Sequence, residues 1–206
     1  MLSDDDYRQP SKGYRFTEDS VSLAGFAPQN LKGRAADLGA GCGVVGLEAL
    51  AQGRLVGLEV LFLVEVQRSF EEHLLANIRT SLAKNPNGPA LQPVWADWRE
   101  LTPADFGGVL DHVMVNPPYF PAGASGRSNG ARSLCRHEIR GGLDSLLAAA
   151  KRLLRPRATL TLSWPRSRLN DLVETAEASG FVPSRFCCPP RLGSRLILAE
   201  YSVLKE

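Results

Sequence analysis

Arg34-Ala35-Ala36-Asp37-Leu38-Gly39-Ala40-Gly41-Cys42-Gly43 passes from a short apolar run into a turn with glycine at alternate positions. A strand that ends on a carboxylate and opens into such a turn offers a guest close access to the backbone, because glycine tolerates positive φ and carries no side chain. The apolar stretch 44–51 that follows reads as a helix. Strand, glycine turn and helix together are the opening unit of a doubly wound α/β sheet, whose ligands sit at the carboxyl ends of the strands.

The alternation continues downstream, as such a fold requires. Residues 58–64 read as a second buried strand ending at Glu65. Phe70, Leu74, Leu75 and Ile78 recur at helical spacing within 67–82, before the breaker Asn85-Pro86-Asn87-Gly88. Strands follow at 91–96 and 109–115. A helix at 142–154 has Leu143, Leu146, Leu147, Ala150 and Leu154 on one face and Pro156 to stop it. A fifth strand at 159–164 and a helix at 168–179 closed by Gly180 complete the alternation. Residues 181–188 and 196–204 follow with no helix between them, so they read as an antiparallel hairpin. The expectation is a seven-stranded, mostly parallel doubly wound sheet with an antiparallel C-terminal hairpin.

The glycine spacing narrows the guest. The dinucleotide fingerprint is G-x-G-x-x-G with an acid about 20 residues further on. Here the order is Gly39-x-Gly41-x-Gly43 behind Asp37, a carboxylate suited to a ligand's ammonium group, which dinucleotides lack. That favours S-adenosylmethionine over NAD. Glu65, at the second strand's end, suits a ribose diol. Asp97, after the third strand, suits an adenine amino group or forms a turn, and Trp98 suits the adenine ring or the core.

Asn116-Pro117-Pro118-Tyr119 ends the fourth strand, which neighbours the first in this topology. Both prolines fix φ and lack N–H, so the corner is rigid and its carbonyls are open to a guest. An Asn side-chain oxygen, a Pro117 carbonyl and the Tyr119 ring suit a planar group bearing NH₂. Hydrogen bonds to both N–H groups of an aromatic amine localise its lone pair, and holding it still in line with a methyl donor supplies the proximity. No metal is required, and no metal-ligand motif is present. His73 and His112 read as structural. His137, beside Glu138 in the long segment 120–141, is a candidate lining the target pocket, as are Phe120 and Arg132.

Composition is that of a globular chain of 206 residues, 44% hydrophobic and 22% charged, with no apolar stretch approaching the ~20 residues of a membrane helix. The acidic start Met1-Leu2-Ser3-Asp4-Asp5-Asp6 is unlike a signal peptide, so a cytoplasmic protein is expected. Cys42, Cys135, Cys187 and Cys188 have neither zinc nor disulfide-framework spacing. Net charge is −5 over residues 1–120 and +7 over 121–206, where 12 of 14 cations are Arg. That asymmetry fits a polyanionic partner as well as it fits a solvated basic surface.

With these residues in place, the chain resembles the class I S-adenosylmethionine-dependent methyltransferases of the Asn-Pro-Pro-Tyr group. It is most similar to the bacterial enzymes that methylate N6 of the adenine beside the anticodon of valine tRNA. The segment Gln9-x-x-x-Gly13-Tyr14-Arg15-Phe16-Thr17-x-Asp19-Ser20, the continuation of Asn-Pro-Pro-Tyr into Phe120, and Arg136-His137-Glu138 carry the closer likeness. The resemblance implies one domain, with residues 1–30 covering the cofactor and 31–206 forming the core. It implies that Thr17, Asp37, Gly39, Ala40, Gly41, Gly43, Glu65 and Asp97 hold S-adenosylmethionine, and that Asn116, Pro117, Pro118 and Tyr119 hold the target amine of a tRNA. The same corner also suits a protein glutamine amide, guanine N2 or cytosine N4. A non-catalytic module that binds cofactor and RNA is the remaining alternative.

Overall fold

The computed structural model describes residues 7–11, 16–117, 142–190, 193 and 195–204. Strands β1 (Gly33–Leu38), β2 (Leu58–Val64), β3 (Ala90–Val94), β4 (Leu110–Val115), β5 (Leu154–Pro165), β6 (Phe181–Cys187) and β7 (Leu196–Val203) form one sheet in the order β3-β2-β1-β4-β5-β7-β6. The first five strands pair in parallel, and β7 runs antiparallel to both β5 and β6. The expected doubly wound sheet with its terminal hairpin is the observed one.

Period-2 alternation in the central strands feeds two cores. Ala36 and Leu38 of β1, Phe62 and Val64 of β2, Val113 and Val115 of β4 face one side. There they pack against α4 (Gly142–Leu153) and α5 (Leu169–Ala178) through Leu143, Leu146, Leu147, Leu153, Leu172 and Ala176. Ala35, Leu61, Leu63 and Met114 face the other side, against α1 (Glu18–Phe26), α2 (Val44–Ala51) and α3 (Glu71–Lys84). Burying each of these Leu side chains contributes about 1.5–3 kcal/mol, so both layers are held to the sheet by its apolar faces.

Several boundaries depart from the sequence reading, among them the third strand, expected to reach 96, which ends at Val94. The helix expected from residue 67 begins with a 3₁₀ turn, Arg68–Phe70, before α3 proper. The fifth strand, expected at 159, starts at Leu154 directly after α4. Pairing jumps from Leu110↔Leu154 to His112↔Thr159, so the extra residues form a bulge with Arg157 at φ 65°. Pro156, read as a helix stop, lies in that bulge, where its missing N–H costs no ladder bond. Pro93 and Pro183 likewise fall on the edge strands β3 and β6.

Among the described residues no helix is long and apolar enough to cross a membrane. His112 is structural, as expected. Its Nδ1 lies 2.6 Å from Thr159 Oγ1 and its Nε2 3.2 Å from Thr161 Oγ1, and burial drives its pKa down to about 3.

Candidate functional site at the switch point of the sheet

From β1 the chain winds outward through β2 and β3, then returns to place β4 on the other side of β1. That reversal between β1 and β4 is the topological switch point, where the loops diverge and leave a crevice. Register fixes what meets there. Leu38 pairs with Val115 and with Val64, and Val115 pairs with Leu162. The next residue of each strand therefore stands in one row along the carboxyl edge: Glu65, Gly39, Asn116, Ser163. Neighbouring strands are ~4.8 Å apart. The glycine turn and the Asn116 corner thus leave the sheet side by side.

The turn is fastened at its base, where the N–H groups of Gly39 and Ala40 both donate to Val64 O at 2.9 Å. Gly39, Gly41 and Gly43 have φ of 75°, 57° and 88°. A Cβ on Gly43 would lie 2.7 Å from Leu74 Cδ1, so that glycine admits α3. A Cβ on Gly39 would meet nothing within 4 Å, and one on Gly41 only Phe70 at 3.9 Å. These two leave the room a ligand needs against the backbone.

Two carboxylates flank the turn. Asp37, 1% exposed, accepts the Gly46 N–H at 2.9 Å through Oδ2. The expected ammonium partner of Asp37 has a backbone partner beside it, at the start of α2. Burial, and secondarily the nearby Glu65 charge, push the Asp37 carboxyl up to about 7 against the lowering effect of the Gly46 bond. Glu65 accepts the Gly41 N–H through Oε2 at 2.8 Å and the Gln67 N–H through Oε1 at 2.7 Å. It braces the turn against the end of β2, and burial raises its pKa despite those bonds. Each carboxylate oxygen has more than one lone pair, so bracing and ligand binding are compatible. Asp97 is half-buried and chelated by Arg99, whose guanidinium and backbone N–H both donate to it, and this lowers its pKa. Trp98 packs against the core.

The residues fit S-adenosylmethionine on two counts. There is open space over Gly39 and Gly41, and two buried carboxylates flank the turn for a ligand bearing ammonium and hydroxyl groups. Among the described residues no cluster of ligands for a metal ion occurs.

Asn116 is held from both sides of its amide. Nδ2 donates to Ser20 Oγ at 3.0 Å and to Asp19 Oδ2 at 3.3 Å, and Oδ1 accepts from Ser163 Oγ. Thr17, expected near the cofactor, donates its hydroxyl to Asp19. Pro117 is buried behind the corner. Pro118, Tyr119, Phe120, Arg132 and His137 lie outside the described residues.

No protein-family model matches the chain. It is 28% identical over 160 residues to the tRNA1(Val) (adenine(37)-N6)-methyltransferase of Shewanella sp. (strain W3-18-1), a match taking in 77% of this chain and 63% of that relative. The Bacteroides fragilis protein of the same name is 27% identical over 167 residues, 81% of this chain and 67% of that one. This chain thus spans about 63% of the length of the Shewanella relative. Among solved structures, magnesium protoporphyrin IX methyltransferase from Synechocystis PCC 6803 with bound SAM superposes with a TM-score of 0.57 at 17% identity, over 89% of this chain and 74% of that one. The fold is that of the Rossmann-like methyltransferases.

Within this methyltransferase fold, the structure gives specific partners to residues the sequence reading passed over, Asn77 and Ser163, and to others it knew only as part of the N-terminal segment. Asn77 of α3 donates to the carbonyls of Arg8 and Cys42 at 2.8 Å each and accepts the Arg8 N–H at 2.8 Å, tying the N-terminal segment to the glycine turn. Tyr7 adds a bond to Glu48. Asp19, Ser20 and Ser163 converge on Asn116. A signal for Asn77 was in the sequence: a polar side chain among Leu74 and Ile78 on an apolar helix face must find partners. Ser163, between Leu162 and Trp164, offered no comparable cue.

Proposed function

We propose that this chain is an S-adenosylmethionine-dependent N-methyltransferase whose acceptor is N6 of an adenine in tRNA, beside the anticodon of valine tRNA. The observation that carries the reading is the register of β1 and β4, which sets the glycine turn and the Asn116 corner at neighbouring positions of one edge. The cofactor supplies an electrophilic methyl group on a cationic sulfur. Gly39, Gly41, Asp37 and Glu65 hold it, and Asp97 with Ala40 and Gly43 complete that half of the site. Asn116 Oδ1 and the carbonyl of Pro117 accept the two N–H groups of the target amine, with Pro118 keeping the corner rigid and Tyr119 stacking on the base. Methyl transfer would leave the amine with one N–H fewer, the proton passing to solvent, while Asn116 Oδ1 and the Pro117 carbonyl hold the nitrogen in place.

The names of the curated relatives support tRNA as the acceptor. So does Arg on the acceptor side of the edge. Arg166 and Arg195 flank the outer ends of β5 and β7, joined by Arg166 N–H donating to Arg195 O at 2.8 Å, and both side chains are exposed. Guanidinium groups there suit an RNA backbone.

The test is transfer of tritiated methyl to unmodified bulk tRNA, DNA and cell protein, followed by nucleoside analysis. N6-methyladenosine in tRNA is expected; label in protein alone would sink the reading. Asn116→Ala should lower methyl transfer by about 10²–10³, the scale for losing a transition-state hydrogen bond. Cofactor affinity should stay within about twofold. A non-catalytic module would tolerate that change.

A further inference from the structure

Asn and Gln amides are nearly symmetric in shape, so an Asn that must present oxygen rather than NH₂ to a guest needs something to hold it. Around Asn116 that holding comes from α1, a part of the chain almost a hundred residues away. Asp19 is 7% exposed and Ser20 is 3% exposed. Two acceptors, Asp19 Oδ2 and Ser20 Oγ, meet Nδ2, and one donor, the Ser163 hydroxyl, meets Oδ1. Each serine hydroxyl can donate or accept, so it is the Asp19 carboxylate that sets the orientation: the reversed amide would turn its oxygen toward that acceptor. Asp19 is itself fixed, since Oδ1 accepts from the Ser20 N–H at 3.0 Å and from the Thr17 hydroxyl.

We propose that Asp19, seconded by Ser20 and Ser163, is a positioning residue that locks and polarises the Asn116 amide for the target amine. This rests on the methyltransferase reading above. An amide oxygen has two lone pairs, so Ser163 and a target N–H can both bond it. A carboxylate on Nδ2 draws the amide's positive end toward itself and makes Oδ1 a stronger acceptor, because hydrogen bonds in series polarise one another. The oxygen then pulls harder on the target N–H, which frees the nitrogen lone pair. Asp19 touches neither substrate nor cofactor in this account; it acts through Asn116.

The test uses the full chain and whichever acceptor the wild type labels. Asp19→Ala should lower kcat by about tenfold or more, with KM for the acceptor and Kd for S-adenosylmethionine within about twofold. Asp19→Asn, which keeps size but not charge, should fall between it and wild type, and it serves if the Ala variant misfolds. In an Asn116→Ala background, Asp19→Ala should add no further loss in single-turnover transfer. Multiplying losses in the double variant, an unchanged kcat, or a loss confined to Kd would each overturn the proposal. Wild type labelling only protein would defeat the tRNA reading while leaving this series measurable on the protein amide. Wild type labelling nothing would overturn both.

Discussion

Asp37→Asn probes the electrostatics of the glycine turn. In the folded chain the Asp37 carboxyl sits at about 7, raised from 3.8 mainly by burial. Below 3.8 the folded and unfolded chains both hold the proton. Between 3.8 and about 7 only the folded chain holds it, so the unfolded state gains ionisation free energy that the folded state forgoes. Stability therefore falls as pH rises through that window and levels off above it. At 1.36 kcal/mol per pH unit, the whole interval amounts to a ceiling on the order of 4 kcal/mol. Asparagine keeps an oxygen for the Gly46 N–H but has no proton to lose. Its buried NH₂ lowers stability by an amount that does not depend on pH. The quantity to follow is thus the difference in unfolding free energy between wild type and Asp37→Asn, from urea denaturation at pH 4.5, 6, 7 and 8 without cofactor. Wild type should lose ground to the variant by up to a few kcal/mol between the first two and the last. A cationic ligand favours the ionised carboxyl, so S-adenosylmethionine binding near pH 6.5 should release up to one proton, read by calorimetry in buffers of differing ionisation enthalpy. Stability curves that run parallel across this range would refute the assignment of a raised pKa to Asp37.

The glycines should separate by role. Gly43→Ala places a Cβ 2.7 Å from Leu74 at φ 88° and should cost about 1–3 kcal/mol of stability in thermal unfolding. Gly41→Ala, at φ 57° with its nearest neighbour at 3.9 Å, should cost about 1 kcal/mol yet weaken S-adenosylmethionine binding tenfold or more by calorimetry. Arg166→Glu with Arg195→Glu should weaken tRNA binding and flatten its salt dependence by about one in log–log slope per Arg, with cofactor affinity unmoved.

The sheet was readable because punctuating residues mark its elements: Gly39 after β1, Asn116 and Pro117 after β4, Gly180 between α5 and β6. The early start of β5 was not, because a bulge is a two-strand property and Pro156 alone argues for a break. Strand-end carboxylates could be placed but not aimed. Asp37 belongs to the right turn, yet only the rotamer turns its oxygen to Gly46 N–H. The clamp on Asn116 was out of reach for a different reason. The N-terminal motif brought Asp19 and Ser20 toward the cofactor, but they and Ser163 become neighbours of Asn116 only once the crossovers bring β5 against β4 and α1 to the Asn116 corner.

That placement also explains why the chain's N-terminal segment belongs to the site as much as the sheet does. A parallel sheet sets the spacing of the β1 and β4 loops, but loops leaving it are free to diverge. Here residues 7–11 are bonded to the donor side, through Asn77 to the Cys42 carbonyl of the glycine turn. The start of α1 is bonded to the acceptor side, through Asp19 and Ser20 to Asn116. Glu65 braces the same turn from β2. The two proposed halves of the site are set by strand register below, and each is also gripped separately, one by Arg8 and the other by the start of α1. On the proposed reaction such placement matters, since a methyl acceptor displaced by about 1 Å loses much of the advantage of proximity.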